Sequence, residues 1–145
     1  MALNNGRGIH WSGSVYHKEL DEWERWKREL IALNISYAKV LDDGGGSAHD
    51  LCVRLFEECG IIPIVRYYRH QPNAEGTTGQ VTDREIQAID RLVKRLPKCV
   101  IAVETNNEPD VKEEWKNGFM PERWWEIVVD NVYQDARRCQ DVGAL

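Results

Sequence analysis

Four short apolar runs alternate with four longer segments of helical periodicity, and no other feature of the chain narrows its possible folds so far. The runs cover residues 8–11, 37–41, 62–68 and 99–104, and are rich in Val, Ile, Leu and Tyr. Short apolar runs of this kind read as strands covered by helices. The first intervening segment, residues 18–33, places Leu20, Trp23, Leu30 and Leu33 at helical spacing, with acids ahead of Lys27 and Arg28 as the helix dipole prefers. The second, residues 48–59, has Ser47 as its expected N-cap and Gly60 as its stop. Thr82-Asp83-Arg84-Glu85 fits a capping box, and the helix it opens runs through Ile86, Ile89, Leu92, Val93 and Leu96 to Pro97. Pro121 marks the start of a last helix over residues 122–142.

A β-α-β-α-β-α-β-α order implies crossover connections and a parallel sheet in an α/β fold. Two architectures fit: an open doubly wound sheet, or four β/α units of a (β/α)8 TIM barrel. A whole barrel needs about 250 residues, so 145 residues amount to a half barrel in one domain. Three features favour the half barrel. Every strand ends in polar or aromatic side chains, whereas an open sheet concentrates them at one switch point. Lys39, Arg66 and Glu104 lie within strands, and a barrel mouth can hold a compensated cluster where a helix-covered sheet could not. No G-x-G-x-x-G phosphate loop follows the first strand.

The partner classes are narrowed by charge. The net charge of -5, with 30% charged residues, argues against a nucleic-acid backbone or an anionic membrane as the main partner. No apolar run has transmembrane length, and residues 1–6 lack the regions of a signal peptide, so a cytoplasmic location is expected. Cys52, Cys59, Cys99 and Cys139 form no C-x-x-C pair and read as free, buried or partly buried thiols. His49 and Asp50 open a helix without a second histidine at ligand spacing, so no metal and no cofactor is expected.

The fourth run carries the chemistry. Val100-Ile101-Ala102-Val103 leads straight into Glu104-Thr105-Asn106-Asn107-Glu108-Pro109, which places two carboxylates and two amides at the C-terminal rim of a sheet. Glu108 is the candidate acid. Glu104, four residues deeper, is about 13 Å back along the strand and is expected to pair with Arg66 or Lys39. Trp11, Tyr68, His70 and Trp115 sit near strand ends or rim loops, where aromatic faces suit the apolar faces of sugar rings. His10, Arg66 and Asp42 are further candidate substrate contacts, although Asp42-Asp43-Gly44-Gly45-Gly46 reads first as a solvated turn. Trp23, Trp26, Trp124 and Trp125 lie on helices and read as packing residues.

At Asn107-Glu108-Pro109, with Glu104 upstream, the chain resembles clan-A glycoside hydrolases, which are (β/α)8-barrel enzymes with Asn-Glu-Pro at the end of strand four. The resemblance implies that Glu108 is the acid/base, that Asn107 contacts the sugar 2-hydroxyl, and that the substrate is a carbohydrate. Asn106 stands where many relatives carry an aromatic residue, and with Glu104 and Lys39 is assigned to supporting the rim. The family's nucleophile is a Glu on strand seven, and four strands do not reach it. The expectation is therefore a glycoside hydrolase-like domain, incomplete without further strands, or a non-catalytic half barrel that binds carbohydrate or acts as a scaffold. Two open sheet edges predict a homodimer or union with a missing C-terminal half.

Overall fold

The structure, a computed structural model, describes residues 6–10, 17–42, 46–67, 81–105, 111–112, 115 and 118–145. Its strands β1 (Gly8–His10), β2 (Tyr37–Asp42), β3 (Ile62–Tyr67) and β4 (Ala102–Glu104) form one all-parallel sheet in the order β1-β2-β3-β4. Helices α1 (Trp23–Ala32), α2 (Ser47–Cys59), α3 (Asp83–Arg95) and α4 (Trp124–Asp141) alternate with them, α1 being preceded by a 3-10 turn over Lys18–Glu22. Register is continuous across the sheet: Lys39 stands beside His10 and Ile64, and Arg66 beside Leu41 and Glu104.

Side-chain alternation along the strands decides which face is covered. In β3, Pro63, Val65 and Tyr67 are buried while Ile62, Ile64 and Arg66 are half-buried. The buried set packs with Ala38 and Val40 of β2, with Trp23 and Leu30 of α1, and with Leu51, Cys52 and Leu55 of α2. Ile89 and Leu92 of α3 and Cys139 of α4 join the same cluster. All four helices thus feed one core on one face of a sheet with sequential strand order. A doubly wound sheet reverses its strand order and carries helices on both faces, and neither feature occurs among the described residues. Pro63 is tolerated inside β3 for a local reason. Ile62 donates to Ser36 on the β2 side, so the position of Pro63 faces β4, whose pairing begins one residue later at Ile64.

The element ends follow local rules, with some corrections. Gly60 adopts φ 70°, Gly60 N–H donates to Phe56 at 3.0 Å and Ile61 N–H to Leu55 at 3.0 Å, a left-handed glycine closure that turns α2 directly into β3. The capping box forms as expected: Thr82 N–H donates to Glu85 Oε2 at 2.6 Å and Glu85 N–H to Thr82 Oγ1 at 3.3 Å. Ser47 is not the N-cap of α2; Gly46 takes that position at φ 111° and Ser47 is the first helical residue. Pro121 makes a turn ahead of α4, which starts at Trp124. β4 starts at Ala102, later than its apolar run.

The least expected element is α4. Its buried residues are Asn131, Asp135 and Cys139, whereas Trp125, Val129, Val132 and Tyr133 are exposed. Of the helical tryptophans, Trp23 is buried and Trp26 half-buried beneath the Arg25 guanidinium, 5.5 Å from its ring. Trp125 is 49% exposed and touches Trp124 only edge-on, so packing covers it incompletely. After α4, Leu145 N–H donates to Ile101 O at 2.8 Å, and Leu145 O accepts from Val103 N–H at 2.7 Å. These are the two bonds of a parallel bridge opposite Ala102, along the outer edge of β4.

Candidate functional site

The face of the sheet away from the helices carries the charged cluster. Register and alternation bring His10 of β1, Lys39 of β2, Arg66 of β3 and Glu104 of β4 to that side. Lys39 Nζ lies 2.9 Å from Glu104 Oε2, and Arg66 Nε 3.6 Å from Glu104 Oε1. Both cations therefore engage one carboxylate, as the sequence reading expected for Glu104. Their side chains are 17–30% exposed, so solvent still screens them, and each pair contributes no more than about 1 kcal/mol. Their stronger effect is geometric: a carboxylate held from two strands fixes the end of β4 relative to β2 and β3. The segment leading to Asn107 and Glu108 starts from this anchored point.

Not all candidate residues meet there. Asp42 is only 6% exposed, and its strand parity with Ala38 and Val40 puts it on the helix-covered face, opposite Glu104. It is neither a solvated turn residue nor a second carboxylate beside the cluster. The exact end of β2 decides this, since one residue of difference reverses the face. Trp115 is 2% exposed and packs inside the protein, so its ring offers no open face for stacking on a sugar. Trp11, Tyr68, His70, Asn106, Asn107 and Glu108 lie outside the described residues.

On the helix side, Asp42 and Tyr67 line a cavity of about 740 Å3 with His49 and Cys52 of α2 and Arg91 and Arg95 of α3. Burial, aided by Asp42 and Glu85, pushes the Tyr67 hydroxyl above its ordinary range, and the hydroxyl donates to Glu85 O at 3.3 Å. Burial likewise raises the Cys52 thiol, with Asp42 adding to the effect. Both groups are held neutral, the Tyr67 hydroxyl by a hydrogen bond as well, which suits packing better than acid–base work. No group of three or more His, Cys, Asp or Glu side chains fit to hold a metal occurs among the described residues. All four cysteines are free thiols.

Comparison of the chain with protein-family models, curated proteins and solved structures finds no match.

Among the buried polar residues that escaped the sequence reading are His17 and Asp135. His17 is 4% exposed, and its Nε2 donates to Leu41 O at 2.7 Å, tying the segment before α1 to the end of β2. Asp135 is fully buried on α4, where Oδ1 accepts from Val81 N–H at 2.7 Å. Arg138, one turn on, donates to Val81 O, and its Nη2 lies 2.6 Å from Asp83 Oδ1. No periodicity signals either contact, because the partners lie 24 and 54 residues away. No helix among the described residues is long and apolar enough to cross a membrane.

Proposed function

We propose that this chain is the acid/base half of a TIM-barrel glycoside hydrolase, acting on O-glycosidic bonds through Glu108. One observation carries the reading: in sequence, Asn107-Glu108-Pro109 comes shortly after the fourth strand of a sequential, one-sided parallel sheet. In such a sheet the C-terminal rim is the functional edge. Glu108 protonates the leaving glycosidic oxygen, Asn107 hydrogen-bonds the sugar 2-hydroxyl, and Glu104, held by Lys39 and Arg66, keeps the strand end in place. His10 and Arg66 contribute polar contacts on the open face. Trp11, Tyr68 and His70 supply the sugar-binding wall.

A glycosidase needs a second carboxyl, about 5–5.5 Å away for retention or about 6.5–9.5 Å for inversion. Among the described residues, Glu104 is engaged by two cations and Asp42 faces the helices. That observation favours a second reading for the 145 residues by themselves: a half barrel that binds carbohydrate without hydrolysing it.

Turnover of aryl glycosides tests the enzymatic reading. In the active full-length protein, Glu108→Gln should slow hydrolysis of poor leaving groups by about 10²–10⁴-fold, because those need the acid, and spare activated leaving groups. Equal turnover of variant and parent ends the assignment of Glu108. For the binding reading, titration with oligosaccharides should show affinity that Asn107→Ala weakens.

A further inference from the structure

The exposed large apolar side chains are unevenly placed. Among the described residues α2 and α3 carry none, while α4 carries Trp125, Val129, Val132 and Tyr133, each at least 42% exposed. Spacings of four, seven and eight residues put these four on one stripe. The stripe faces away from the rest of the fold. Arg138 marks the side of α4 turned to α3 through Val81 and Asp83, and at about 100° per residue Val129 lies half a turn round from it. The sheet edge beneath is partly covered, since Leu145 takes the backbone groups of Ile101 and Val103 on the outer side of β4. What α4 offers outward is therefore its side chains.

We propose that this stripe is a homodimer interface, in which α4 packs antiparallel against α4 of a second copy about a two-fold axis near residue 131. Charge complementarity selects a second copy as the occupant. Glu126 stands in the first half of the helix, where its partner within the chain is the exposed Arg123 just ahead of α4, and Arg137 stands in the second half; both are exposed. Glu126 and Arg137 are eleven residues apart, close to three full turns, and so share one edge of the stripe. An antiparallel two-fold pairing sets Glu126 against the partner's Arg137, and Val129 against the partner's Tyr133, twice over. A two-fold interface must be self-complementary in this way, and about residue 131 the Val129–Tyr133 and Glu126–Arg137 pairs meet the condition. The Arg137 guanidinium already lies 5.8 Å over the Tyr133 ring, presented at that edge. The interface does not depend on the glycosidase reading and would hold if that failed. Its small size predicts weak association, roughly micromolar.

Light scattering after size exclusion tests it on the full-length protein. The expected mass is twice that of one chain, which is 16.8 kDa for these 145 residues, falling toward the single-chain value on dilution. Val129→Glu with Val132→Glu should give a monomer with an unchanged far-UV spectrum, since both side chains are exposed. Glu126→Arg should weaken the dimer, and adding Arg137→Glu should restore it. A monomer at every concentration, a dimer indifferent to the Val129 and Val132 changes, or a charge exchange that restores nothing would each overturn the proposal.

Discussion

Helices α2 and α4 both contribute to the same core, yet they are held by opposite means. On α2 the buried residues are Ala48, Leu51, Cys52 and Leu55, and the polar groups face solvent. On α4 the buried residues include Asn131 and Asp135, and large apolar groups face outward. The first helix is secured by removing apolar area from water. The second is secured by a polar clamp, with Asp135 and Arg138 gripping both backbone groups of Val81 at the entry to α3. Hydrophobic packing is tolerant in direction, whereas the clamp works in one register only. This pairing explains how α4 can expose an apolar stripe and still be fixed in place.

The contrast can be broken by mutation. Leu51→Ala should show the largest effect, about 2–5 kcal/mol in urea denaturation, from lost burial plus a cavity. Asp135→Ala should cost about 1–3 kcal/mol by leaving the Val81 N–H unmatched; if it costs nothing, the clamp does not hold α4. Thr82→Ala, which removes the cap on the clamped turn, should cost about 0.5–2 kcal/mol. Lys39→Met should cost no more than about 1 kcal/mol, while allowing the end of β4 to move, which the chemical shifts of Glu104 would report.

pH sharpens the same comparison. Burial, reinforced by Asp135 and opposed by Arg138, pushes the Cys139 thiol of α4 up to about 11 from an ordinary 9.0, and burial raises Cys52 of α2 as well. The native state thus holds protons that the unfolded chain releases. The corresponding stability is fully present below about 9 and is lost as pH rises through about 11. Urea midpoints at pH 8, 10 and 11 should fall in that order, and Cys139→Ala, though less stable, should fall less steeply. On the acid side Lys27 and Trp23 hold the Glu58 carboxyl below its usual range. Stability from that group is present above the ordinary carboxylate value and lost as pH drops through the lowered one. Glu58→Gln should flatten that limb.

Much of the architecture was legible because it rests on local period. Strand and helix alternation, the Thr82 and Glu85 box and the Gly60 stop depend on residues a few positions apart. The meeting of Lys39, Arg66 and Glu104 was legible too, since alternation along parallel strands carries side chains of matching parity to one face. The face of Asp42 was not, because parity is meaningful only once register is known. The burial of Trp115 was equally hidden: a tryptophan in a loop reads the same whether it stacks on a ligand or fills the interior.

By itself, then, the chain's order of residues determined the α/β class, the element sequence and the charged groups available near the rim, since these follow from backbone propensity and periodicity. Only the tertiary structure decided the face of Asp42, the burial of Trp115 and the reversal of α4. Those depend on contacts between residues tens of positions apart, where a buried aspartate and an exposed valine are stable only for what their distant neighbours supply.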